Sequence, residues 1–311
     1  MGLAVLSFGL SGIELLLALM RGAFVASVLS SFGASLFLSA VGAPTWRRLH
    51  EGQASLIQGR CRRLVWGSLF AASVSGLIWL VLEAGVIADA ETTGQTLAAV
   101  QSVLFDTRFG QVLAAQVLAL LGAGAATATH RRVGHLAATS LAGVATVLEA
   151  GHSHAFAMAH GVSALLLSQA LHLLAAGAWL GGLLPLLLVV REVPLGLAAL
   201  AARRFSTVGL ASVAILATTA TFQGWMLSGG LRGLVGTAYG AMLLTKATLF
   251  TVLITLAAFN RFRLAPTLTA ARGEQSRRAL FRSIEAETIL GLCVVLAAGV
   301  LSSLEPGMHQ V

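Results

Sequence analysis

The sequence predicts an all-α membrane protein, a polytopic bundle of about eight transmembrane helices with both termini on the outer side. Three observations carry that prediction. Only 10% of the 311 residues are charged, 57% are hydrophobic and mean hydropathy is +0.88; a soluble domain carries about 25% charged residues. The apolar residues gather into runs of about 20, the length a helix needs to cross a hydrocarbon core about 30 Å thick. The basic residues gather in alternate connections between those runs, as membrane topology requires. These features exclude a soluble enzyme and a disordered or collagen-like chain. They also account for the net charge of +8 without a nucleic-acid partner; the partner is membrane lipid. Cys61 and Cys293 stand far apart with no CxxC, which excludes a disulfide framework or a zinc site.

The spans read in order as 20–42, 64–88, 109–129, 135–151, 161–190, 205–228, 239–259 and 280–303. No linker or low-complexity segment divides them, so 1–311 reads as a single transmembrane domain. The stretch before Met20 is apolar but carries Glu14 and no basic n-region. It reads as an interfacial helix or an extension of the first span, not as a cleaved signal peptide. Arg21, near the outer end of the first span, snorkels toward the interface. The second and fourth spans end on the same five residues, Val81 to Gly85 and Val147 to Gly151, which sets Glu83 and Glu149 at a similar depth. His172 lies about eleven residues into the fifth span, hence about 16 Å along the helix. An ionisable group at that depth suggests function; the structural alternative is a neutral imidazole bonded to another helix. Gln169 and Trp179 share its helical face, which looks into the bundle. Lys246 lies about seven residues into the seventh span, with Glu83 and Glu149 as partners of comparable depth. In the eighth span Arg282 and Glu285 form a local ion pair, while Glu287 points elsewhere, toward the interior.

Charge orients the bundle. Arg47, Arg48, Arg60, Arg62 and Arg63 occupy the connection after the first span. Arg131 and Arg132, then Arg191, Arg203 and Arg204, then Arg261, Arg263, Arg272, Arg277, Arg278 and Arg282 occupy the later ones on that side. Sixteen of the 20 basic residues therefore share one side, and the positive-inside rule makes that side cytoplasmic. The opposite loops hold only Arg108 and Arg232.

The outer face has a different chemistry. His152, His154, Met158 and His160 fall within one loop free of lysine and arginine, and the C-terminal tail adds Met308 and His309. Imidazole suits copper, zinc, iron or nickel, and a thioether tilts the choice toward Cu(I). Asp89, Glu91, Asp106, Glu149 and Glu305 on the same side would concentrate cations. Met226 and Met242 read as packing residues. On the inner side His50, His130, His135 and Cys61 are scattered among arginines and read as solvated loop residues.

A set of residues runs in fixed order from about 135 to 309: Gly151 and His152, the run from Leu171 and His172 through Trp179 to Leu183, and Arg204, Phe205 and Ser206. Thr237 to Gly240, Leu244 to Lys246, Asn260 and Arg261, Glu287 and Gly291, and Pro306 with His309 complete it. In these residues the region resembles the copper-resistance D (CopD) family of bacterial inner-membrane proteins. The first half matches in its hydropathy and in Thr107, Arg108, Phe109 and Gly110. The resemblance implies an eight-helix inner-membrane protein, its outer face periplasmic, that handles copper ions beside a separate periplasmic carrier of the CopC type. His152, His172 and His309 hold the family-like positions; His154, Met158 and His160 are additions of this chain.

Three functions use such residues. A copper permease would capture Cu(I) or Cu(II) at the outer histidines and methionines and pass it through His172, with Glu83, Glu149 and Lys246 in support. No nucleotide-binding or phosphorylation motif supplies energy, so movement would be facilitated or ion-coupled. A copper sensor or assembly factor would hold the ion without moving it. A haem-bearing redox protein needs two axial ligands at matched depth, and only His172 is clearly deep. No nucleophile, histidine and acid set with motif context is visible, so the chain does not read as an enzyme.

Overall fold

A computed structural model describes residues 12–129, 132–152, 162–228 and 230–302. It is all-α over those residues, and eight of its helices are long and apolar enough to cross a membrane. The helices are α1 (Gly12–Leu36), α2 (Glu51–Ile87), α3 (Thr93–Asp106), α4 (Arg108–Thr127), α5 (Arg132–Leu148), α6 (Val162–Glu192), α7 (Leu195–Ser228), α8 (Leu231–Gly236), α9 (Ala238–Phe259) and α10 (Gly273–Leu301). All but α3 and α8 are spans. The start of α1 at Gly12 makes the stretch before Met20 an extension of the first span as far as it is described.

Two spans widen where proline ends their hydrogen-bond ladder. Pro44 and Pro266 have no N–H to give the carbonyl four residues earlier. The turns just before them, Phe37–Gly42 and Asn260–Leu264, relax into π-helix. Such bulges re-aim side chains, and Asn260 opens the second one. In the arginine-poor connections, α3 is fixed by a capping box between Thr92 and Gln95. Thr107 then caps α4 through the N–H of Gly110, and Thr237 caps α9 through that of Gly240. Both glycines press on the backbone of the preceding short helix.

Helix α1 is the centre of the bundle, packed against α2, α5, α6 and α10. Its closest approach is to α6, where Gly33 faces Gly177, Gly181 and Gly182 and a Cβ would overlap their backbone. Small residues of this kind let membrane helices touch where no hydrophobic force drives them together. The largest core groups Phe37, Leu183, Val189 and Leu280 around this seam. At the arginine-rich end, Arg60 on α2 pairs with Glu192 at the end of α6, and Gln53 bonds the Glu192 carbonyl at 3.3 Å.

Several local expectations change. Arg282 and Glu285 are both exposed and form no ion pair among the described residues; the pair in that helix is Arg277 with Glu274 at 2.6 Å. Cys61 and His135 are not solvated loop residues. Helices α2 and α5 extend past the predicted spans and carry both inward, so Cys61 is fully buried and His135 Nε2 is buried without a hydrogen bond. His50 is exposed ahead of α2, as expected. Met242 packs with Ala18, Tyr239 and Val300.

Candidate functional site

At the arginine-poor end, α5 tightens into a 3-10 turn over Glu149–His152 and sets its polar residues against α4, α2 and α1. Gln116 on α4 is fully buried and Glu149 is 5% exposed. The Gln116 amide donates to Glu149 Oε2 at 2.9 Å and to the Ala145 carbonyl at 3.1 Å. With both amide protons spent, its Oε1 accepts from His152 Nε2–H at 3.0 Å. That fixes the tautomer: Nδ1 of His152 keeps its lone pair. The ring lies 5.0 Å from Trp79 and 5.2 Å from Phe109, centroid to centroid.

Arg21 enters this cluster and does not snorkel away from it. Its guanidinium donates to the His152 carbonyl at 2.7 Å and lies 5.5 Å over the Trp79 ring. Glu149 and Glu83 are the acids that act on its charge. Glu83 in turn accepts from Trp79 Nε1 at 3.2 Å. Among the described residues neither carboxylate forms an ion pair with Lys246, and Arg21 is the cation whose charge they act on.

Deeper in α6, His172 Nδ1 lies 2.8 Å from Thr219 Oγ1 on α7. The Thr219 hydroxyl also lies 2.7 Å from the Ile215 carbonyl; when its proton goes there, Thr219 accepts from His172 Nδ1–H. In that tautomer Nε2 keeps the lone pair, and it makes no hydrogen bond among the described residues. A metal-ligating imidazole is oriented in this way, by a bond through its other nitrogen. Lys246 on α9 is close enough to act on the charge of His172.

A cavity of about 150 Å³ is lined by Arg21, Glu149, Gln169, Gln223, Tyr239 and Lys246 among others. Gln223 donates to Ser168 at 3.1 Å, tying α7 to α6 beside it. A second cavity, of about 240 Å³, lies in the arginine-rich half and is lined by Trp179, Ser206, Asn260, Arg261 and Glu287 among others.

Of the residues expected to bind metal, the structure places His152 and His172 on the inner faces of the bundle; Glu149 and Lys246 line the first cavity, and Glu83 accepts from Trp79. His154, Met158, His160, Met308 and His309 lie outside the described residues. Among the described residues no group of three or more His, Cys, Asp or Glu side chains is placed to hold a metal ion. Sequence reasoning missed Gln116, Trp79 and Thr219. Gln116 carried a signal, being a lone amide in an apolar run; Thr219 carried none.

Comparison with known proteins bears on what these residues serve. Residues 199–301 match the family described as copper resistance protein D, and residues 12–165 match the copper resistance protein D-like N-terminal domain. The chain belongs to the copper resistance protein D (CopD) family. It is accordingly a multi-pass membrane protein of a copper-related family. The N-terminal match extends over spans whose resemblance rested on hydropathy and one short motif. The chain is 26% identical to the copper transport protein CutJ of Bacillus subtilis, over 82% of this chain and 48% of that protein. It is 30% identical to the inner membrane protein YebZ of Escherichia coli, over 51% and 56%. It is 28% identical to copper resistance protein D of Pseudomonas syringae pv. tomato, over 80% and 85%. The chain thus spans about half the length of the first two relatives. No solved structure matches it.

Proposed function

We propose that this CopD-family chain moves copper ions inward across a bacterial inner membrane. The whole chain acts as one transmembrane unit, with both termini and the His152 mouth on the periplasmic side. The observation that carries this reading is the unbonded Nε2 of His172, held in place through Nδ1 by Thr219. It supplies a preformed nitrogen ligand within the membrane, one helical turn from Gln169 on the wall of the first cavity. The Nδ1 of His152 supplies a second one at the mouth. His154, Met158, His160, Met308 and His309 add capture ligands on that side. Imidazoles accept either copper oxidation state, and the thioethers favour Cu(I). Exchange between neighbouring weak sites lets an ion enter without being trapped. A separate periplasmic carrier of the CopC type would deliver it.

A second reading has one observation in its favour. Arg21 and Lys246 place two cations on the cavity wall, which suits a protein that holds copper at its mouth as a sensor or assembly factor better than an open channel. Copper flux into proteoliposomes separates the two. The wild type is expected to load copper with time, and His172→Ala to abolish loading while most copper binding at the mouth persists. Binding without flux in the wild type would favour the sensor. Equal loss of binding and flux in His172→Ala and His154→Ala would argue against a relay.

A further inference from the structure

We propose that Glu287 is a proton-binding site in the arginine-rich half of the bundle, opening through the 240 Å³ cavity, and that its proton exchange is coupled to metal movement. Coupling presupposes the copper transport proposed above; proton binding at Glu287 does not.

Glu287 sits at the middle of the 29-residue α10 and is 3% exposed. No cation pairs with it among the described residues. The Asn260 amide donates to its Oε1, and Trp179 lines the same cavity. Asn260 is itself 8% exposed, and its Oδ1 is buried with no donor. A carboxamide facing an ionised carboxylate can make one bond of this kind and strands its own oxygen. Facing a carboxylic acid it can make two, N–H to the acid carbonyl and acid O–H to the amide oxygen. The pair is therefore one proton short of full satisfaction, and Glu287 is the group that can carry it.

The donor set argues against a metal as the occupant. One carboxylate and one amide oxygen fall far short of the six or more oxygens that calcium or magnesium take, and copper prefers nitrogen or sulfur. Arg261 is the charged side chain that shares the cavity with Glu287. Its guanidinium is held aside, donating to Ser206 at 2.6 Å. Other ionisable groups on the elements packed against α10 lie elsewhere. Arg21 on α1 and Lys246 and Tyr239 on α9 line the other cavity. His172 on α6 turns to Thr219, while Arg203 and Arg204 on α7, like Arg282 and Glu285 on α10, are exposed.

Infrared difference spectra of the purified protein across neutral pH test the proton site. A protonated-carboxyl band is expected that Glu287→Gln removes and Asn260→Ala shifts. The side-chain amide introduced by Glu287→Gln can donate to Asn260 Oδ1 and accept from the Asn260 N–H, so that variant should keep its fold and its thermal stability. The absence of any band lost in Glu287→Gln would overturn the proposal. Coupling is read in proteoliposomes with an entrapped pH dye, with copper added outside. Proton movement should accompany copper uptake and be lost in Glu287→Gln. Copper uptake without proton movement, or proton movement unchanged in Glu287→Gln, would overturn coupling. Absence of copper uptake in the wild type would overturn coupling and transport together, while the infrared band would still decide the proton site.

Discussion

Single residues do their work here through uncharged neighbours. Gln116 spends both amide protons on Glu149 and the Ala145 carbonyl, and so dictates the His152 tautomer. Thr219 does the same for His172, with the opposite ring nitrogen left open. Replacing Thr219 by Val removes the acceptor for His172 Nδ1–H and frees the ring to turn. The expected result is copper affinity at His172 weaker by about 10- to 100-fold, the usual cost of losing such an orienting partner. Thr219→Ser should restore it, and copper titration of the purified variants would check both. His172, Glu149 and Glu287 were legible in the sequence because an ionisable group inside an apolar run is costly and stands out. Their partners were not. A membrane threonine bonds its own helix carbonyl by default, as Thr146, Thr218 and Thr288 do, so nothing distinguishes Thr219 until α7 is packed on α6. Arg21 was misplaced for a related reason: snorkelling is the default for a terminal arginine, and only tertiary packing reveals the ring and the two carboxylates that draw it inward.

Among the elements, apolar run length fixed the number of spans, while their ends moved. Helices α2, α7 and α10 start well before the predicted boundaries, since a helix does not stop where hydropathy falls; its backbone bonds continue into the interface. Helix α3 was missed although its capping box, Thr92 with Gln95, was in the sequence; its apolar content falls short of a span. The seam between α1 and α6 depends on bare backbone. Gly33→Ala should therefore lower stability by about 1–3 kcal/mol, since overpacking forces the helices apart. Gly67→Ala, where a Cβ meets nothing within 4 Å, should be nearly neutral. Thermal unfolding in detergent would read the difference, and equal stability of the two variants would contradict the seam.

At the scale of the whole molecule, charge asymmetry makes a prediction about sidedness. In a background of Cys61→Ala and Cys293→Ala, the exposed positions Thr93→Cys and Gln275→Cys lie at opposite ends of the bundle. A membrane-impermeant maleimide added to spheroplasts should label the first and spare the second; the reverse pattern would invert the orientation. The number and order of the spans were the most legible layer because the bilayer imposes them on composition alone. Of the candidate site, His172 and Glu149 stand out in the sequence, while the cavity between helices can only be packed.

The contact of α10 with α1 has a consequence for biosynthesis. Gly299 near the end of α10 rests on Ala18 and Gly22 of α1, and residues of α10 complete the wall of the cavity that Arg21 enters. Helix α1 thus leaves the ribosome well before α10, and its Arg21 waits for α10 before it is enclosed. A nascent chain halted before α10 would present Arg21 and that unfinished wall to lipid, where membrane quality-control proteases recognise unsheltered polar groups. Nonsense mutations ahead of α10 should therefore remove the protein altogether, not leave a shortened but working form.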